Sequence, residues 1–279
     1  MAKNRASQPV TLDIGGQPFR LDLHDFHDLA IALDFDGVQP RWFGAPPAHS
    51  EALASGAFSG RVARGASCNC STLTLTPHCD GTHTECAGHL TLEPLAVRAV
   101  APVGLTPALL LSVTPMPAER SSEGSRPAPL AGDLLITGSA IEMAWPAAPP
   151  FAPRALIVRT LPNPGLKRAR DYRSEPAAFL SLPAAGMLVA RGIEHLVLDV
   201  PSADRADDGG NLSAHREFFG LPAGSVALAA VRRPQCTITE LAYIDDAVAD
   251  GAYLLSLQLP ALGGDALPSR PLLYPVQAA

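Results

Sequence analysis

The sequence predicts a mixed α/β fold, with all 279 residues forming one domain. Three observations predict it. Short β-type runs recur along the whole chain and outnumber helical patterns. The few helical patterns fall between strands without the regular strand–helix alternation of a doubly wound sheet. No shift in composition marks a boundary, and 47% hydrophobic residues over this length are enough for one large core.

The β-type runs are Val10–Ile14, Gln17–Leu23, Leu73–Thr76, Leu95–Val100, Ala108–Val113, Leu134–Thr137, Ala155–Arg159, Leu196–Val200 and Ala227–Ala230. Each alternates or is continuously apolar and ends at turn-forming residues. The best helical pattern is Glu175–Ala190, with Ser174 as the N-cap and Pro176 in the first turn, where proline is tolerated. Pro183 interrupts it and predicts two short helices or a kink. Leu212–Phe219 predicts a short helix ended by Gly220, and Thr237–Ile244 begins as a strand and then turns. Residues 116–131 and 145–153 are proline-rich or polar and predict loop insertions.

Charge and composition exclude several function classes. The net charge is −6 and no basic patch is present, so no nucleic-acid partner is expected. No apolar stretch approaches the roughly 20 residues that span a bilayer, so no membrane association is expected. The first residues, Met1–Ser7, are polar and are not followed by the apolar region of a signal peptide, which predicts a cytoplasmic protein. Cytosolic thiols stay reduced. Cys68, Cys70, Cys79 and Cys86 crowd one region, but a CxC followed by two scattered cysteines lacks the paired CxxC units of a structural zinc site.

Chemistry concentrates in His78–His89. Three of the eight histidines fall in these twelve residues, with Glu85 among them. Imidazole and carboxylate together suit a divalent ion such as zinc or manganese. In extended chain, residues i and i+2 share a face, so His83 and Glu85 project together. His89 lies a turn further on, where it either ligates or reaches over the ion. Gly81 permits a sharp turn, and Gly88 permits close approach of the backbone.

These residues resemble a known family. Gly81-Thr82-His83-Thr84-Glu85 with His89 four residues on is similar to the HxGTHxDxPxH motif of the cyclase and kynurenine-formamidase-like metal hydrolases. Further similarities follow in order: Arg159-Thr160 after a strand, Leu198–Asp204 against a D-T-P-S-x-D segment, Ser213–Glu217 against a histidine-bearing helix, and Ile238–Leu241 against I-x-E-x-L. The likeness runs from about residue 27 to 245. It implies a swivelling β/β/α architecture, a mixed sheet or barrel with flanking helices. It also implies one or two divalent ions, zinc or manganese, held by His78, His83, Glu85, His215 and Glu240, with His89 as acid/base.

Three departures stand out. Glu85 replaces the motif aspartate, Ala87 replaces the proline, and the first histidine is displaced by one residue. Cys79 occupies its usual position and His78 precedes it. Either a bulge at Asp80 brings His78 to the ion, or Cys79 replaces it as a thiolate, or that ligand is lost; His78 is the preferred choice.

The resemblance implies hydrolysis of an amide-type bond in a small molecule (an arylformamide, N-acyl or cyclic amide) by metal-activated water, in a homodimer or larger oligomer. Trp42 and Phe43 lie where the family places substrate-contacting residues and can stack on an aromatic group or serve packing or an oligomer contact. Arg41 either pairs with a substrate carboxylate or is a surface arginine. The alternatives are a lyase or cyclase on the same site, or a non-catalytic protein that binds metal or a small ligand. No GxSxG is present, which excludes the serine-hydrolase route.

Overall fold

The longest apolar runs form the centre of a nine-stranded sheet in this computed structural model, which describes residues 9–56 and 58–279. The expectation for Met1–Ser7 lies outside the described residues. From one edge the strands are Ala266–Pro268, His83–Cys86, Thr237–Glu240, His195–Leu198, Ala155–Thr160, Thr106–Val113, Gly251–Gln258, Arg270–Pro275 and His27–Asp28. The four strands from Thr237–Glu240 to Thr106–Val113 are parallel, and antiparallel strands flank them on both sides.

Burial on both faces explains why the central runs read as continuously apolar. Leu109, Leu111, Leu156, Val158, Leu196 and Leu198 pack with the helices Gly138–Ala144, Leu182–Ala190 and Ser213–Phe219 through Ile141, Ala184, Leu188, Ala214 and Phe218. The alternate residues Ala108, Leu110, Ala155, Ile157 and Val197 meet Leu255 and Leu273 of the flanking strands, so the sheet curls into a half-barrel around its own second core. A hairpin of Pro9–Ile14 and Gln17–Asp22 and a ribbon of His49–Ala52 and Ser71–Thr74 stand outside it. No helix among the described residues is long and apolar enough to cross a membrane.

The structure corrects several expected elements. Leu95–Val100 is not a strand: Val97–Val100 forms one helical turn, anchored by Val97 N–H donating to Gly264 O at 2.8 Å. Ala227–Ala230 is not a strand either; Leu228–Ala230 is a 3-10 turn, and Leu228 N–H donates to the Glu93 carboxylate. The predicted helix at 175–190 begins only at Leu182. Ser181, not Ser174, is its N-cap, accepting from Ala184 N–H at 3.0 Å. Pro183 therefore sits in the first turn, where its missing N–H costs nothing, and does not interrupt. Phe179–Leu180 pairs instead with Leu135–Ile136 as strand. Segment 116–131 is mostly irregular, with a short strand at Met116–Pro117 and one turn at Ala118–Arg120. Segment 145–153 has no regular element.

Candidate metal centre

Parallel strands end together, and the chain leaving their carboxyl ends carries the polar groups. Glu240 ends its strand opposite His83, in register with Glu85 opposite Ile238. Directly opposed residues share a face, so His83, Glu85 and Glu240 point the same way, toward the helices. Thr84 and Thr239 point the other way and join their hydroxyls at 2.7 Å. The helix Ser213–Phe219 then brings His215 over this face.

The four side chains are almost wholly buried, and their polar ends converge. His215 Nε2 is 2.6 Å from Glu85 Oε1 and 3.4 Å from Glu240 Oε1, and His83 Nε2 is 3.4 Å from Glu240 Oε2. His83 Nε2, Glu85 Oε1 and His215 Nε2 nonetheless lack a hydrogen-bond partner: they approach one another closely without the angles of a hydrogen bond. The opposite ring nitrogens are well held. His83 Nδ1 donates to Gly81 O at 3.0 Å and His215 Nδ1 to Asp204 Oδ2 at 2.7 Å, which directs both Nε2 lone pairs into the cluster. A carboxylate or carbonyl behind each imidazole is the usual support of a metal-binding histidine. Tetrahedral ligands about 2.0–2.2 Å from an ion stand roughly 3.3–3.5 Å apart, the spacing of most of these pairs. His83, Glu85 and Glu240 thus offer donor atoms to one divalent ion, and His215 adjoins them.

Charge reinforces the arrangement. Burial pushes the Glu240 carboxyl up, but the adjacent His215 and His83 imidazoles win and hold it down at about 2. Burial lowers the His215 and His83 imidazoles, yet the surrounding carboxylates raise both above the ordinary histidine range.

A second, half-exposed group lies beside the first. His78 Nε2 is 3.0 Å from Asp265 Oδ2 and 3.7 Å from Glu85 Oε2. His89, on the 3-10 turn Ala87–Leu90, has Nδ1 3.5 Å from Asp265 Oδ2 and Nε2 4.0 Å from Glu85 Oε2. The rings of His78 and His89 stack with centroids 4.4 Å apart.

The extra residue of the motif is absorbed in a turn, not in a bulge of the strand. Cys79 and Asp80 N–H both donate to Thr76 O, Asp80 Oδ2 accepts from Thr76 N–H, and Gly81 at φ 107° enters the strand. Cys79 packs with Trp42, Tyr172 and Leu241, and burial, then Asp80 and Glu240, push its thiol up to about 11. All five cysteines are free thiols.

A cavity of about 440 Å³ opens over these groups, lined by Trp42, Phe43, Arg205 and Leu212 as well as His78, Glu85, His89, His215 and Glu240. Trp42 is buried and meets Tyr172 edge-on, whereas Phe43 is 72% exposed at the mouth. Arg41 does not face this cavity; it donates to Ala45 O within its own loop. A larger cavity of about 690 Å³ between Arg126, Arg216 and Arg232 contains no histidine, so the smaller one carries the chemistry. Phe43, Leu212 and Leu241 are the non-glycine residues with left-handed backbone among those described. All three border the site: two line the cavity, and the third follows Glu240. Such strain costs about 1–3 kcal/mol each and gathers at functional sites.

Two supporting residues carry no sign of their role in the sequence. Asp204 lay inside a recognised segment but offered no sign that it backs His215. Asp265 had no signal beyond the turn-forming Gly263-Gly264 before it.

The family model described as Putative cyclase matches residues 27–205, more than half of the chain. The chain belongs to this cyclase family. Solved structures agree on the fold. A predicted metal-dependent hydrolase from Bacillus stearothermophilus is 19% identical, with 90% of this chain and 98% of that one aligned at a TM-score of 0.56. Isatin hydrolase A from Ralstonia solanacearum is 14% identical over 90% and 91% of the two chains at 0.57. An isatin hydrolase bound to the product analogue thioisatinate is 14% identical over 91% and 93% at 0.54. No curated protein matches the chain.

Proposed function

We propose that this cyclase-family protein is a metal-dependent hydrolase that opens an amide-type bond in a small molecule: an arylformamide, an N-acyl compound or a cyclic amide. The observation that carries the reading is the buried set of orphaned donor atoms on His83, Glu85 and His215, beside Glu240. Imidazole nitrogens suit zinc and carboxylate oxygens suit manganese, so this mixed set is compatible with either. When bound there, such an ion lowers the pKa of water toward neutrality and polarises a carbonyl.

The residues have distinct parts in this reading. His83, Glu85, His215 and Glu240 would hold the ion, and Asp204 and Gly81 O take the Nδ1 protons so that both Nε2 atoms face it. His78 becomes a fifth ligand only by giving up its 3.0 Å hydrogen bond to Asp265. His89 moves the proton between the attacking water and the leaving nitrogen. Trp42 and Phe43 form an aromatic wall for a planar substrate. Fold neighbours named as isatin hydrolases, proteins named for opening a cyclic amide, support the substrate class. A homodimer or larger assembly and a cytoplasmic setting belong to the same reading.

The test is turnover by zinc- or manganese-loaded protein across arylformamides, N-acylanilines and lactams including isatin. Activity should vanish with chelator, return with metal and be absent in His83→Ala. Full turnover in excess chelator would sink the proposal, and bound metal without turnover on any of these compounds would favour a binding protein.

A further inference from the structure

The two groups of side chains in the cavity differ in one respect that assigns a role to Asp265. In the inner group, three buried polar atoms have no hydrogen-bond partner. In the outer group, His78 Nε2 and Asp265 Oδ2 satisfy each other at 3.0 Å, and the same oxygen faces His89 Nδ1 at 3.5 Å. The outer group thus has its hydrogen bond between His78 and Asp265 already made, whereas the inner one leaves three buried atoms unpaired, although each set lies close enough to hold an ion.

Asp265 is also firmly placed. Its carbonyl accepts from Cys86 N–H at 3.1 Å, the preceding Gly264 carbonyl accepts from Val97 N–H at 2.8 Å, and the following Ala266 pairs with Glu85. Gly88 leaves room for it: a Cβ there would lie 3.1 Å from Asp265 Cβ and 2.4 Å from Leu95 O. Gly88, beside His89, therefore admits a carboxylate from a position about 180 residues away in sequence.

We propose that Asp265 is a positioning residue that acts through His89. Its carboxylate accepts the Nδ1 proton of His89, which leaves the Nε2 lone pair facing the Glu85 side of the cavity, and it pins His78 as a stacked neighbour outside the ion's ligand set. This rests on the hydrolase reading above. An imidazole fixed in that tautomer takes a proton from the attacking water at Nε2 and delivers it to the leaving nitrogen as the C–N bond breaks. The displaced motif histidine thereby gains a partner that the motif itself does not encode.

Nitrogen-15 NMR of the histidine rings in zinc-loaded protein tests this directly. His89 should carry its proton on Nδ1 in the wild type and lose that preference in Asp265→Ala, with zinc per chain unchanged in both. On any substrate turned over, Asp265→Ala should lower kcat about 10- to 100-fold, the usual effect of losing such a support, with KM within about twofold. In a His89→Ala background it should cost nothing more. Asp265→Asn, whose amide oxygen still accepts from Nδ1, should keep the tautomer and recover part of kcat. A His89 proton on Nε2 in the wild type overturns the proposal. So does loss of zinc in Asp265→Ala, which would make Asp265 a ligand, or an equal loss of kcat with and without His89. Wild-type protein that binds no zinc removes the hydrolase reading instead, while the His89 tautomer still decides the role of Asp265.

Discussion

Lys167 with Asp199, and His83 with Glu85, His215 and Glu240, form two buried polar clusters at the carboxyl ends of neighbouring parallel strands. The first is complete. Lys167 Nζ donates to Thr160 O, Thr160 Oγ1 and Asp199 Oδ2, and Asp199 also accepts Thr160 N–H and Oγ1–H. All three ammonium protons are used. The second leaves His83 Nε2, Glu85 Oε1 and His215 Nε2 without partners. Similar burial thus serves opposite purposes. A closed network fixes the strand ends, and an open one leaves buried donor atoms unpaired.

The largest expected effect breaks the closed cluster. Lys167→Met strands Asp199 as an uncompensated buried charge and should cost about 3–5 kcal/mol in denaturant unfolding, with zinc content unchanged. A loss under about 1 kcal/mol would mean that this network contributes little. The open cluster should respond to metal instead. At zinc a hundredfold above its Kd, the wild type should gain about 2.7 kcal/mol of stability. Lys167→Met should show the same gain, and His215→Ala should show none.

Asp204 joins the two behaviours, since its satisfied carboxylate supports an unsatisfied histidine. It accepts from the N–H groups of Ala214 and His215 and from His215 Nδ1. Asp204→Asn should weaken zinc binding about 10- to 100-fold by competition with a chromogenic chelator. Affinity equal to the wild type would remove Asp204 from the account.

Glu123 extends the comparison to a satisfied carboxylate nearer the surface. It accepts from Gly138 N–H, Ser139 N–H and the Ser181 hydroxyl, and so ties together the starts of two helices. Burial raises its carboxyl, but these hydrogen bonds win and hold it below the ordinary range. A carboxyl depressed in the folded state adds stability above its unfolded pKa, about 4.3, and loses it as the pH falls through the folded value. Glu123→Ala should cost about 1 kcal/mol at neutral pH, the typical value of a helix cap, and flatten the pH dependence below about 4.5. An unchanged acid limb would show that Glu123 contributes nothing by charge.

The sequence made local chemistry legible and left long-range closure hidden. His83 and Glu85 two residues apart in extended chain had to share a face, and they do. Apolar runs such as Ala108–Val113 became central strands because a strand buried on both faces has no polar face to interrupt its pattern. Leu95–Val100 and Ala227–Ala230 misled because β-type composition was overridden by tertiary hydrogen bonds to Gly264 and Glu93. The antiparallel strands Gly251–Gln258 and Arg270–Pro275 are not among the predicted elements, and neither is Asp265 among the predicted site residues, since it reaches the site only because the sheet's edge strand returns beside His83–Cys86. Glu123 was hidden for a similar reason, since a polar loop residue gives no sign of which helix starts it will meet.

Anomalous diffraction at the zinc edge from crystals of zinc-loaded protein tests the central claim most directly. The account predicts one strong peak about 2.0–2.2 Å from His83 Nε2 and His215 Nε2 and from carboxylate oxygens of Glu85 and Glu240. Absence of that peak, with zinc lying instead among His78, His89 and Asp265, would contradict it.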